Sequence, residues 1–308
     1  MHAAPDGLGP LFLWAVDVSK WNAPPHTRVA ARGGGSTHAK TREETLFEHD
    51  VDTLVQRYSA PETAKVRQYL RQVDRARSLV ARLLPRVFFA RHGARWGDVQ
   101  VHAANGGRPR LVRPAAVAET YDFNISHDGD WVVLAVYGMP RVRVGVDVME
   151  VELPPYEESA ASFCDTMEFA LTPHEARWVA DACSDADRIS RLMDVWTYKE
   201  AYTKNIGEGL GFDFRSVELA FWSTDPAALL RVHGHRVCDF QFVQVSLPPG
   251  ETRSSRPSRA AVAVGPLPPQ TSCSRVSLSA ADAASQGWLT RWTYDAFLQA
   301  ARSAEGTG

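Results

Sequence analysis

The chain has 308 residues, 44% hydrophobic and 23% charged, with a formal net charge of −2. That is enough for one large domain or two of ordinary size, and the near-neutral balance excludes a global basic footprint for nucleic acid, so any anionic ligand must be held by local basic groups. No segment reaches the roughly 18–20 apolar residues of a membrane-spanning helix, Met1–Pro10 lacks the pattern of a secretory leader, and Cys164, Cys183, Cys238 and Cys273 form no CxxC pair, so a cytoplasmic protein is expected.

Leu11–Val18 is apolar and reads as a strand. Residues 22–42, rich in Gly, Pro and polar groups, read as a loop or disordered insert. From Pro61 to about Leu84, the residues Val66, Tyr69, Leu70, Val73, Ala76, Leu79, Val80 and Leu83 keep helical spacing, as one long helix or two in succession. The basic residues there, Lys65, Arg67, Arg71, Arg75, Arg77, Arg82 and Arg86, cover several faces, so most are solvated and one or two can reach a ligand. Asn105-Gly-Gly-Arg108-Pro109 is a turn with a basic residue beside proline. Asn124–Ser126 and Trp131–Tyr137 flank polar His127–Asp130 as a hairpin would, and Val142–Val148 alternates as a strand up to Asp147.

Thr172-Pro-His-Glu175 is a capping box with proline at the first helical position. Ile189 to about Asn205 reads as a further helix, ending near Gly207. Val217–Trp222, Phe240–Leu247 and Ala260–Val264 read as strands of a second sheet. Residues 248–259 and 265–274 read as loops and Ser303–Gly308 as a frayed tail. Two α/β halves are expected, divided near Gly138–Pro140, with a site between them.

Three segments carry chemistry. On a helix, Trp196, Glu200 and Lys204 share one face, with Lys199 beside Glu200; Glu-then-Lys at this spacing is also a plain surface pair worth a few tenths of a kcal/mol. Val144-Gly-Val-Asp147 ends an apolar strand in a carboxylate, which serves metal binding or a turn cap. Phe123-Asn-Ile-Ser126-His127 puts a hydroxyl, an imidazole and backbone N–H groups at a strand end, which suits a phosphate or a polar turn.

In order, the chain shows an Arg-rich helix, a G-R-P turn, F-N-I-S-H, V-G-V-D-V, and W-T-Y-K-E-A-Y-T-K followed by G-E-G-L. It resembles the large monomeric type of 4′-phosphopantetheinyl transferase, marked by (V/I)-G-(V/I)-D and (F/W)-x-x-K-E-x-x-x-K. Within that type it is most similar to the eukaryotic subgroup that activates aminoadipate-semialdehyde dehydrogenase and fatty-acid synthase, whose style is F-N-I-S-H, G-V-D-V-M and G-E-G-L-G-F. The resemblance covers about Leu11 to Val264.

The resemblance implies an α+β fold of two similar α/β subdomains, residues 11–138 and 139–302, related by a pseudo-twofold axis with the active site in the cleft. It implies transfer of the 4′-phosphopantetheine group from coenzyme A to a serine of acyl or peptidyl carrier protein domains, with release of adenosine 3′,5′-bisphosphate (holo-[acyl-carrier-protein] synthase activity). Asp147 and Glu200 match the ligands of Mg²⁺ or Mn²⁺. Lys199 and Lys204 match lysines near the pyrophosphate; Asn124, Ser126 and His127 match the 3′-phosphate region of coenzyme A. Arg108 takes the basic position of the G-K-P turn, Lys65 a position facing the nucleotide, and Arg77 and Ser78 a position beside the adenine. Catalysis would fall to Glu200, Lys204 and Asp147, with Glu200 taking the serine proton directly or through a metal-bound water. A carboxylate beside a cation has a lowered pKa, which favours the water route.

The implied partners are carrier domains of fatty-acid synthase, polyketide synthase and aminoadipate-semialdehyde dehydrogenase type, received on a patch of arginines and apolar groups, and an internally duplicated monomer would suffice. The chain departs from the family in places. Met149 stands where many bacterial members have a third acidic ligand, so a water is expected there, and Glu150 would point to the opposite face. Ala103 and Ala104 replace a basic position before the turn. Segments 22–42 and 248–259 are longer than the family needs. Two other readings compete. A non-catalytic coenzyme A or nucleotide-binding module would keep Ser126, His127 and Arg108 without needing both Asp147 and Glu200. A ligand-free scaffold would need none of Lys199, Glu200 and Lys204 beside a cleft.

Overall fold

The structure is a computed structural model that describes residues 10–21, 42–56, 60–103, 107–208, 211–222, 230–252, 256–268 and 274–306. The first apolar run forms β1 (Leu11–Asp17), followed by α1 (Arg42–Val51), α2 (Ala60–Arg67) and α3 (Gln72–Arg91). The helix expected from Pro61 is therefore two in succession. Tyr69 and Leu70, expected in its apolar stripe, fall in the break and are exposed. Helix α3 runs past Leu84 instead and buries Val73, Ala76, Leu79, Val80, Leu83 and Val87.

A small hairpin, β2 (Gln100–His102) and β3 (Arg110–Arg113), and a short helix, α4 (Ala115–Thr120), lead into β4 (Asp122–Asp128), β5 (Trp131–Tyr137) and β6 (Arg143–Glu150). The expected hairpin is β4–β5, and His127 and Asp128 still belong to its first strand. Next come α5 (Ala160–Thr166), α6 (Pro173–Ala180) and α7 (Asp185–Ile206). Thr172 and Glu175 close the capping box over α6. Helix α7 ends on Gly207 at φ 87°, a left-handed conformation that costs little without a Cβ.

The chain continues through β7 (Val217–Leu219), β8 (Leu230–Val232), β9 (His235–Arg236), β10 (Gln241–Leu247), β11 (Ser258–Gly265) and β12 (Ser274–Ser279). It closes with α8 (Ala280–Ser285), β13 (Leu289–Thr293) and α9 (Tyr294–Gly306). Two expectations need correction. Val217–Leu219 joins β8 and β9 in a small sheet of its own rather than the second large sheet. Ser303 to Gly306 is not frayed but continues α9, anchored by buried Phe297, Leu298 and Ala301. The insert expected at 22–42 lies outside the described residues up to position 41, as do 253–255, 269–273, 307 and 308; Ser258 and Arg259 already belong to β11.

Two four-stranded sheets run in the orders β13-β1-β5-β4 and β12-β10-β11-β6. Each contains the same unit of strand, helix and hairpin, β1–α3–β4–β5 and β6–α7–β10–β11. In both, the first strand pairs antiparallel with the last, which pairs antiparallel with the hairpin's other strand. Strands β13 and β12 then add parallel edges to β1 and β10. Residues Gly138–Pro140 lie between the two units in sequence, and β13 and α9 return to the first sheet.

The sheets share a core, with Leu13, Ala15, Val133 and Ala135 packed in one cluster with Val144, Val146, Val262 and Val264. Helices α3 and α9 cover the far face of the first sheet, and α7 that of the second, with α6 packed on α7. Among the described residues no helix is long and apolar enough to cross a membrane.

Helix α7 lies very close to β6. A Cβ on Gly145 would stand 2.0 Å from the Ala201 carbonyl oxygen and 2.5 Å from the Asn205 nitrogen. Both are backbone atoms, so no side chain can swing aside. Gly145→Ala must therefore push α7 off the strand. We expect a cost of at least about 1–3 kcal/mol, the usual range for overpacking, seen as a thermal unfolding midpoint several degrees lower.

Candidate active site

The tight seat of α7 on β6 brings the carboxylates of both elements together. Asp147, 4% exposed, leaves β6 toward α7. Its Oδ1 accepts hydrogen bonds from Ser126 Oγ at 2.9 Å and Lys204 Nζ at 2.6 Å, and Lys204 Nζ also reaches Ser126 Oγ at 3.0 Å. Its Oδ2 is buried without a hydrogen-bond partner. Glu200 lies one helical turn before Lys204. Burial and the neighbouring charge of Asp147 push its pKa up, against the pull of Lys204. The lowered value expected from the sequence presupposes a cation; with only Lys204 to offset two buried carboxylates, the shift runs the other way.

A buried carboxylate oxygen left without a donor, beside a second carboxylate, suits a hard divalent cation with oxygen ligands. Among the described residues no group of three or more His, Cys, Asp or Glu is arranged to hold a metal. An ion held by Asp147 and Glu200 would therefore complete its shell with substrate oxygens and water. Met149 packs against the core under α7 and supplies no oxygen. Glu150 turns instead to Gly129. Burial and the carboxylates of Glu152, Asp128 and Asp130 push its pKa up to about 7.

Cationic groups rim this set. Arg77 donates to the Gly129 carbonyl through Nε at 3.1 Å and also through Nη2, and to Asp74 at 2.9 Å. His127 is exposed, yet the protein around its ring and the charges of Arg77 and Lys204 lower its pKa. Arg77, Ser126, His127, Asp147, Glu200 and Lys204 thus converge on one end of β4 and β6.

Other expected residues do not join them. Lys199 is fully buried, and its Nζ donates to the Ala170 carbonyl at 2.7 Å, the Phe214 carbonyl at 2.9 Å and Glu175 Oε2 at 2.5 Å. Rotated by about 100° from Glu200 around the helix, it points under α6 rather than to the carboxylate pair. Arg108 is spent as a bracket. It donates to Asp122 Oδ2 at 2.5 Å and to the carbonyls of Phe123 at 2.9 Å, Val144 at 2.6 Å and Asn205 at 3.1 Å. That places it at the opposite end of β4, about 13 Å of strand from Ser126. Asn124 is buried, and its Oδ1 accepts from the Val146 N–H at 2.9 Å. Lys65 pairs on the surface with Glu62 at 2.9 Å. Ser78 is buried, its hydroxyl held by Arg82 at 2.6 Å.

Glu175 was read from the sequence only as a helix cap. It is fully buried, and besides Lys199 it accepts from the N–H groups of Thr172 and Leu219, each at 2.8 Å. Its signal was the capping box itself, since the box puts a carboxylate at an apolar helix start that α7 then covers.

A carboxylate pair with an open buried oxygen, flanked by a lysine and an arginine, has the chemistry of a site for a metal-bound phosphate group. Comparison with known proteins specifies the family. Residues 46–138 match the model of the 4′-phosphopantetheinyl transferase N-terminal domain and residues 143–263 that of the 4′-phosphopantetheinyl transferase superfamily. A phosphopantetheinyl transferase of Thraustochytrium sp. is 31% identical over 234 residues, 74% of this chain and 72% of the relative. The 4′-phosphopantetheinyl transferase pptA of Paxillus involutus is 33% identical over 185 residues, 57% of this chain and 67% of its own. The Homo sapiens L-aminoadipate-semialdehyde dehydrogenase-phosphopantetheinyl transferase is 27% identical over 159 residues, 51% of this chain and 50% of its own. The chain belongs to the 4′-phosphopantetheinyl transferase superfamily, and its activity is phosphopantetheinyl transfer to carrier proteins.

Proposed function

We propose that this enzyme takes the 4′-phosphopantetheine group from coenzyme A, places it on a serine of acyl or peptidyl carrier domains and releases adenosine 3′,5′-bisphosphate. The observation that carries the metal-dependent part is the unpartnered Oδ2 of buried Asp147 beside Glu200. Those two residues would hold Mg²⁺ or Mn²⁺, which when bound supplies Lewis-acid polarisation of the pyrophosphate and charge neutralisation at the leaving group. Lys204, held against Asp147 and Ser126, adds a fixed ammonium where negative charge builds. Arg77 and His127 supply the cationic wall for the phosphates. Glu200, raised in pKa by burial, receives the carrier serine proton directly or through a water.

The repeated strand–helix–hairpin unit supports a pseudo-twofold relation of the halves, with the site where β4 and β6 meet, and a monomer suffices in such a fold. Carrier domains of aminoadipate-semialdehyde dehydrogenase and fatty-acid synthase type are the partners in this reading, supported by the names of several relatives. Free thiols at Cys164 and Cys183 support a cytoplasmic setting.

Mixing the pure protein with an apo-carrier protein, Mg²⁺ and coenzyme A tests the proposal. The carrier should gain the mass of one phosphopantetheine arm; coenzyme A binding without that gain would favour a binding module. A pH prediction accompanies it. Burial of the ring and the charges of Arg77 and Lys204 disfavour protonation of His127 in the free enzyme, and a bound phosphate would favour the protonated ring. Binding then takes up a proton, so KM for coenzyme A should fall as pH drops from about 8 to about 6.5, around the ordinary histidine value. His127→Gln should flatten that slope.

A further inference from the structure

Strands β4 and β6 are edges of different sheets that run side by side without backbone pairing. Buried N–H groups on such an edge need acceptors. On β6 they find them in side chains of β4. Asp122 Oδ2 accepts from the Val144 N–H at 2.8 Å, Asn124 Oδ1 from Val146 at 2.9 Å and Asp128 Oδ2 from Glu150 at 2.8 Å. Each rung joins residues 22 apart, so the strands run parallel and in register. Period-two alternation puts residues 122, 124, 126 and 128 on one face, and the same offset pairs position 126 with Val148. Ser126 makes a different bond there, donating to Asp147 Oδ1. The series is interrupted only at the residue that touches the carboxylate pair.

We propose that Asp122, Asn124 and Asp128 are positioning residues, a side-chain seam that fixes β6 against β4 so that Asp147 meets Ser126 and Lys204. This rests on the transferase reading for its kinetic consequence and reassigns Asn124 from ligand contact to seam. What the three rungs have in common is a side-chain oxygen that accepts the β6 N–H, from carboxylates at Asp122 and Asp128 and from an amide at Asn124.

The test compares Asn124→Asp, which keeps the acceptor, with Asn124→Leu, of similar volume without it. Asn124→Asp is expected to keep kcat and KM for coenzyme A within about threefold. Asn124→Leu is expected to lose at least about tenfold in kcat with little change in KM, the mark of misplaced catalytic groups. Amide exchange at Val146 should quicken in Asn124→Leu and hold in Asn124→Asp. That readout needs no turnover, so it judges the seam even if the transfer assay fails. A KM raised tenfold or more in Asn124→Asp would mark a phosphate contact and overturn the proposal, as would unchanged exchange and kcat in Asn124→Leu. Asp128→Asn and Asp128→Ala, read at the Glu150 amide, repeat the comparison at a less buried rung if the Asn124 variants do not fold. Equal exchange in those two would also overturn it.

Discussion

Replacing Glu200 by glutamine is expected to reduce phosphopantetheinyl transfer by more than about 10⁴-fold, beyond the range for loss of a general base alone, because on the proposed reading the same side chain would also hold the metal. The fold should not suffer. Burial and Asp147 raise the pKa of Glu200 in the folded protein. A carboxyl group raised in this way weakens the fold increasingly as pH climbs through the unfolded and then the folded pKa. The buried carboxyl is therefore a growing liability to the metal-free protein as pH rises, and a neutral amide removes it. The unfolding midpoint of Glu200→Gln, without divalent ions, should equal or exceed that of the parent. Adding Mg²⁺ should raise the midpoint of the parent and not that of the variant, since a ligand stabilises only a state that binds it. Carrier mass and thermal unfolding check both halves, and near-parental turnover in Glu200→Gln would refute the assignment.

Lys199→Met is expected to show the opposite pattern. The lysine and Glu175 are both fully buried and hydrogen-bonded to one another at 2.5 Å. Burial lowers the pKa of Lys199 and raises that of Glu175, each opposed by its partner. Removing one member strands the other charge, which typically costs about 3–5 kcal/mol. For a domain of this size, that is a drop of roughly 6–15 °C in unfolding midpoint. The double variant Lys199→Met/Glu175→Gln should recover part of the loss, because no bare charge remains. A lysine at the pyrophosphate would behave otherwise, sparing the midpoint and lowering kcat. Thermal unfolding of the single and double variants, run beside the carrier assay, separates the two roles.

Much of this was legible in the sequence because it is local. The apolar run of β1, the hairpin around His127, the capping box before α6 and the glycine ending α7 each announce themselves within a few residues. Asp147, Glu200 and Lys204 could be singled out because strand alternation and helix face each fix a direction, although Asp147 lies inside β6 rather than at the strand end expected. What failed was long-range. Lys199 and Glu200 are neighbours in one motif, and helical geometry says only that they diverge. Which one meets β6 depends on where α7 rests, and Gly145 decides that. Arg108 was expected at the ligand because it fills the basic position of the family's G-K-P turn; Asp122 becomes its partner only when β3 and β4 are laid side by side. Tyr69 and Leu70 kept the spacing of a stripe, but no periodicity shows that the helix breaks beneath them.

The pairing of Leu13 with Leu289 joins positions near opposite ends of the described chain. During synthesis, one margin of the first sheet must wait bare until Leu289–Thr293 has left the ribosome, a period when unpaired strand edges invite aggregation. A product cut short before Leu289 would keep Asp147, Glu200 and Lys204 and still offer that margin to its neighbours, so premature termination should yield insoluble protein rather than a smaller working enzyme.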